Sequence, residues 1–143
     1  MLFKKISLAS DHAGFKLKEK IKKNLKKKKF TVVDLGPKTD SSVDYPDFAK
    51  KVARSVASKK SNIGILVCGS GTGMAMSANK IKKIRAAVCY NRASTSLSRK
   101  HNNANILALG SRLTNKSTAL KLVNIFLNTK FEGGRHLRRV KKV

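Results

Sequence analysis

Short apolar runs alternate along this chain with longer stretches in which apolar residues recur at helical spacing. Ile6-Ser7-Leu8-Ala9, Thr31-Val32-Val33, Ile63-Gly64-Ile65-Leu66-Val67, Arg85-Ala86-Ala87-Val88-Cys89 and Ile106-Leu107-Ala108-Leu109 predict five strands. Leu17, Ile21 and Leu25 form a helical stripe in Phe15–Lys27, with lysines filling the other faces. Pro46 suits the first turn of a helix running to about Ser58. Further helices are predicted over Thr72–Lys80 and Arg92–His101, and a last long one around Ala119, Leu120, Val123, Phe126 and Leu127. A strand-to-strand spacing of roughly twenty to thirty residues leaves room for a helix in every crossover, which implies a parallel sheet. The expected architecture is one α/β domain over residues 1–143, a three-layer α/β/α Rossmann-like fold with a five-stranded parallel sheet.

Ligands of such sheets sit outside the carboxyl ends of the strands. The chemistry-bearing residues of this chain gather there. Asp11-His12 follows the first strand, Cys68-Gly69-Ser70-Gly71-Thr72-Gly73 the third, Asn91-Arg92 the fourth and Ser111-Arg112 the fifth. If Asp11 and Cys68 share a site, strands 1 and 3 are neighbours and strand 2 lies at the edge. His101-Asn102 instead precedes strand 5, at the end of the fourth helix, and needs a different explanation, one being a place at the opposite end of the sheet that serves a neighbouring subunit.

The glycine turn is no standard nucleotide motif. Met74 stands where a dinucleotide fingerprint needs glycine, a P-loop lysine is missing, and Cys68 breaks the hydrolase elbow pattern. What remains is a nest of amides opening a helix, suited to a phosphate, carboxylate or enediolate oxygen. A glycine turn made only for packing is the plain alternative. Helix-terminal amides and nearby cations favour a thiolate at Cys68, whereas Cys89 lies in an apolar run and is expected to be inert. Asp11 and His12 have a structural alternative as an N-cap pair, and His101 as a helix C-terminal cation. Arg135 and Arg139 stand four apart, so on a helix they face the same way and suit a phosphate.

Charge modifies this picture without replacing it. Thirty-three Lys and Arg against seven Asp and Glu give a net +26. Aromatic residues make up only 6%, and no zinc finger, helix-turn-helix or RNA-binding aromatic motif accompanies the excess. Nucleic acid is therefore expected to bind only non-specifically, in a salt-sensitive way. No stretch of about 18 apolar residues is available to cross a membrane. The N-terminus has no signal-peptide apolar segment, and the cysteines have neither C-x-x-C spacing nor a metal-ligand pattern. A reduced, cytoplasmic protein without metal or cofactor is expected.

Seven ordered segments carry a resemblance. They are Asp11-His12-Ala13-Gly14-Phe15, Asp44-Tyr45-Pro46, Cys68 to Gly73, Ala78-Asn79-Lys80, Ser98 to Asn102, Gly110-Ser111-Arg112 and Glu132-Gly133-Gly134-Arg135-His136. From about Lys4 to Arg139 the chain resembles the ribose-5-phosphate isomerase B family, which also contains galactose-6-phosphate and allose-6-phosphate isomerases. The resemblance implies an aldose–ketose isomerase of the pentose phosphate pathway, working on a sugar phosphate through a cis-enediol. By position it implies Cys68 as the base, His101 as proton donor in ring opening, and Asp11 assisting at the ring oxygen or hydroxyls. Gly69 to Gly73 would supply amides to the enediolate, with the Ser70 hydroxyl relaying protons and Thr72 within the same cradle. His12, Arg112, Arg135 and Arg139 would hold the phosphate and Asn102 a sugar hydroxyl. It implies a homodimer, or a tetramer, whose sites are shared between subunits. Some relatives use a carboxylate just past the glycine turn; here Met74 occupies that position, leaving Cys68 as the base on offer. Galactose-6-phosphate enzymes of the family need two different subunits, so a complete residue set in one chain favours the pentose substrate over the hexose ones. The reading from another class is a basic nucleic-acid-binding protein with a vestigial site.

Overall fold

The computed structural model describes Met1–Val143. Five parallel strands, β1 (Lys5–Ser10), β2 (Thr31–Asp34), β3 (Ile63–Cys68), β4 (Ala86–Val88) and β5 (Ile106–Gly110), form one sheet in the order β2-β1-β3-β5-β4. Ile6 pairs with both Val32 and Ile63, and Gly64 with Ile106, so the register runs straight across the sheet. The helices are α1 (Phe15–Lys27), α2 (Tyr45–Ala57), α3 (Thr72–Ala78), α4 (Arg92–Lys100), α5 (Lys116–Asn128) and α6 (Arg135–Val140).

Because side chains alternate across a strand, each strand feeds two cores. Ile6, Leu8, Ile63, Ile65, Val67, Leu107 and Leu109 meet Leu17, Ile21 and Leu25 of α1 and Ala119, Leu122, Val123 and Phe126 of α5. On the other face, Ala9, Leu66, Cys68, Ile106 and Ala108 meet Ala49, Val52, Ala53 and Val56 of α2 and Met74, Ala75 and Ala78 of α3. This is the three-layer sandwich expected from the sequence, with near-continuous apolar strands buried on both sides.

β1 and β3 are adjacent, and the strand order reverses between them. That crevice is the position at which open α/β sheets hold ligands. β4 is shorter than its apolar run because it is an edge strand. The Asn79 side chain pairs with it from outside, accepting from Ala86 N at 2.7 Å and donating to Ala86 O at 3.0 Å. α3 correspondingly ends at Ala78, two residues short of the predicted Lys80, which frees Asn79 for that contact.

One lysine of α1 lies inside. Lys18 is fully buried, and its Nζ donates to both Asp34 oxygens (2.9 and 3.0 Å) and to Pro37 O (2.7 Å). Lys22 shares Asp34 at 2.7 Å. Burial works against the Asp34 charge, but the Lys22 and Lys18 hydrogen bonds and the Gly36 N–H outweigh it and hold the carboxyl below its usual range.

Candidate active site

The carboxyl ends of β1, β3 and β5 are laced together by backbone. Asp11 N donates to Val67 O (3.1 Å), Ser111 N to Cys68 O (2.8 Å) and Arg112 N to Gly69 O (3.0 Å), extending the ladders beyond the strands. Ser111 Oγ adds a bond to Ala13 O at 2.8 Å, tying the first loop to the last. Cys68, the last residue of β3, is therefore held in a rigid frame, with 5% of its surface exposed. Gly71 N–H donates to its Sγ at 3.1 Å.

That donor depends on an unusual backbone. Gly71 has φ +82° and caps α3 in the left-handed region, which a glycine adopts without strain. The N-cap residue Gly71 has no side chain to cap α3, so of its first-turn N–H groups only that of Thr72 meets a side chain. Ser70 Oγ accepts from Thr72 N at 3.3 Å, and Ser70 and Thr72 are exposed. Arg112 lies against Gly69, its Nη1 3.0 Å from where a Cβ would stand. The Tyr45 ring covers Gly73 just as closely, and Tyr90 Oη donates to Ser70 O at 3.0 Å.

Asp11 is buried and accepts from Gly14 N at 2.9 Å. It caps no helix: Gly14 occupies the N-cap of α1 without a side-chain bond, so the carboxylate closes a turn ahead of the helix instead. The exposed His12 accepts from Val43 N through Nδ1 at 3.3 Å. Asp11, His12, Cys68, the Gly69–Gly73 turn and Arg112 thus share one end of the sheet.

The remaining candidates lie at the other end. Each crossover helix carries the chain back to the amino ends of the strands, and His101 is the C-cap of α4. Asn105 Oδ1 accepts from Arg85 N at 2.8 Å and Arg85 Nε donates to Asn103 O at 3.0 Å, fixing this turn beside the starts of β4 and β5. α6 packs onto it: the His101 and His136 rings stack with centroids 4.2 Å apart and 11° between planes. Glu132 Oε2 lies 3.9 Å from His101 Nε2 and 3.7 Å from His136 Nε2. Burial, with the charges of His101, Arg135 and Arg139, holds the His136 imidazole below its usual 6.5 against the pull of Glu132. Arg135, Arg139 and Asn102 are exposed here, and neither arginine has an acidic partner. Across β3 the two ends are about 17 Å apart.

The donor atoms of His101, Glu132 and His136 lie within 4.8 Å of one another, a grouping the sequence reading did not anticipate. Stacked, nearly parallel imidazoles direct their in-plane lone pairs side by side, not towards one ion, and Arg135 and Arg139 flank them. The arrangement suits ring-on-ring support for His101 better than a cation site.

Three further residues shape the site without having been assigned a part from sequence. Arg99 is buried; it donates to Thr129 O, Asn103 Oδ1 and Ala104 O, and so fixes the turn that carries His101. Tyr45 and Tyr90 are the chain's two tyrosines, and both touch the glycine turn. For Tyr90 the available signal was its position immediately past the fourth apolar run. Cys89 is fully buried, and burial pushes its thiol up despite hydrogen bonds from Ser98, Thr95 and Ser94. Cys68 itself stays almost wholly covered in the single chain and packs in the core beside Met74 and Ala108.

The family model for Ribose/Galactose Isomerase matches residues 6–143. Among curated proteins, the probable ribose-5-phosphate isomerase B of Mycoplasma genitalium is 48% identical over 140 residues, covering 96% of this chain and 92% of the relative. Among solved structures, Clostridium thermocellum ribose-5-phosphate isomerase B superposes with a TM-score of 0.96 at 48% identity, over 96% of this chain and 93% of the other. The Mycoplasma genitalium ribose-5-phosphate isomerase B, solved with bound ribulose-5-phosphate, gives a TM-score of 0.92 at 48% identity, over 96% and 92% of the two chains.

Proposed function

The chain belongs to the ribose/galactose isomerase family, and we propose that it interconverts D-ribose 5-phosphate and D-ribulose 5-phosphate through a cis-enediol. Support for the pentose substrate comes from the relatives named for it and from the neighbour solved with ribulose-5-phosphate. The observation that carries the chemistry is the Gly71 N–H on Cys68 Sγ at the mouth of an uncapped helix, in the crevice where the strand order reverses.

In the aldose-to-ketose direction, the furanose first opens, with His101 supplying a proton and Asp11 assisting at the ring oxygen or hydroxyls. The Cys68 thiolate takes the C2 proton, and the electron pair moves to O1 through the enediolate. The amides of Gly69–Gly73 face the charge as it develops, fixed in place before the reaction begins. Ser70 Oγ passes a proton from O2 to O1, and Cys68 returns its own to C1, so the sulfur ends as it began. His12, Arg112, Arg135 and Arg139 hold the phosphate, Asn102 a hydroxyl, and Thr72 completes the cradle.

Cys68 and His101 stand at opposite ends of one sheet, so a complete site needs two chains, each giving one end. A homodimer with shared sites satisfies this. Replacing the base tests the reading directly. Cys68→Ser should lower kcat with ribose 5-phosphate by about 10²-fold or more, with the circular dichroism spectrum unchanged. Activity near the parental level would remove the assignment, and the ratio of turnover on ribose 5-phosphate to that on allose 6-phosphate reports the preferred sugar.

A further inference from the structure

The proposed chemistry leaves Tyr90 without a task, although its hydroxyl reaches the centre of the glycine turn. Tyr90 follows the last residues of β4 and donates to the Ser70 carbonyl at 3.0 Å. That carbonyl and the Gly71 N–H belong to a single trans peptide and point in opposite directions. The N–H end of the same peptide donates to Cys68 Sγ at 3.1 Å. Tyr90 thus grips one end of a rigid plate whose other end rests on the sulfur.

The plate also packs on β5, where a Cβ at Gly110 would stand 2.8 Å from the Ser70 carbonyl carbon and oxygen and one at Gly71 would stand 3.0 Å from the Leu109 carbonyl carbon. Gly71 stands at φ +82°, which glycine adopts without strain, and within that packing the tilt of the Ser70–Gly71 peptide is set by the hydrogen bond at each of its ends. The exposed Ser70 side chain bonds forward to Thr72 N and does not brace its own carbonyl. A hydrogen bond to a peptide carbonyl also polarises the group and strengthens the donor at its far end. Tyr45 meets the turn differently, by covering Gly73 with its ring.

We propose that Tyr90 is a positioning residue that acts through the Ser70–Gly71 peptide, keeping the Gly71 N–H aimed at Cys68 Sγ. The proposal rests on Cys68 being the base. Its physical content is narrower: removing one hydroxyl, which is bonded to the Ser70 carbonyl and not to the sulfur, weakens support for negative charge on that sulfur.

Tyr90→Phe keeps the ring and deletes only the donor. The comparison uses a Cys89→Ser background so that one thiol reports. In Tyr90→Phe, kcat should fall roughly three- to tenfold, as expected for loss of one hydrogen bond, with KM for ribose 5-phosphate unchanged. Alkylation of Cys68 by iodoacetamide at fixed neutral pH should slow by a similar factor, because the rate follows the thiolate fraction more strongly than it follows intrinsic nucleophilicity. The thermal midpoint should not move. Parental kcat together with a parental or faster alkylation rate would overturn the proposal. A raised KM at unchanged kcat would also overturn it, since that is the signature of a ring that merely lines the site. Isomerase activity surviving Cys68→Ser would sink the base assignment alone, and the alkylation rate would still decide whether Tyr90 acts on the sulfur.

Discussion

Cys68 and Cys89 are chemically identical and both buried, yet their surroundings differ. Cys89 is packed among α4 side chains and its thiol is pushed up by burial. Cys68 receives a backbone N–H at the end of a strand, beside an uncapped helix. The difference was legible in the sequence because a glycine turn after an apolar run announces a strand end rich in amides. Tyr90 was not legible, since its part depends on where β4 lies relative to β3, which no local pattern encodes. Arg135 tests the anionic side of the reading. It is exposed and unpaired, so Arg135→Ala should raise KM for ribose 5-phosphate by about tenfold or more, the scale of a lost charge-assisted contact. kcat should change much less, and steady-state kinetics separate the two.

At the scale of elements, periodicity identified every strand and placed α1 to α5, but it missed the short α6 (Arg135–Val140) and did not order the strands fully. The adjacency of β1 and β3 followed from placing Asp11 and Cys68 in one site. The insertion of β5 between β3 and β4 did not, because apolar runs state what is buried and not beside which neighbour. α1 offers a sharper lesson. Its Leu17–Ile21–Leu25 stripe is as read, but Lys18, beside that stripe and indistinguishable by sequence from the other lysines, is fully buried on Asp34. Removing the carboxylate leaves the buried Lys18 ammonium with only the Pro37 carbonyl and the part-exposed Glu19 at 3.1 Å, whereas removing the lysine leaves Asp34 with Lys22. Asp34→Ala should therefore cost about 3–5 kcal/mol and Lys18→Met distinctly less, read from urea midpoints. The sign of the pH effect follows from the depressed Asp34 carboxyl. Its contribution is present above the ordinary value of 3.8 and is lost as pH falls through the lower, folded one.

For the whole molecule, a net charge of +26 favours polyanions through a sequence-independent attraction that fades with salt. Lys16, Lys20, Lys23 and Lys27 of α1 are exposed and contribute to it. No helix is long and apolar enough to cross a membrane. The separation of His101 from Cys68 is the feature with the strongest test. Cys68→Ser and His101→Ala preparations, each inactive alone, should regain roughly a quarter of parental activity when unfolded together and refolded as a mixture. Half of the pairs are then mixed, and each mixed pair has one intact site. Mixtures as inactive as their parents would remove the shared site.

With the sulfur and the imidazole at opposite poles, the proposed shared site would make the protein's output a property of encounters, not of molecules. Turnover per chain should decline on dilution below the concentration at which copies associate, even with every chain folded. An agent that prised partners apart would silence the chemistry without approaching the thiol.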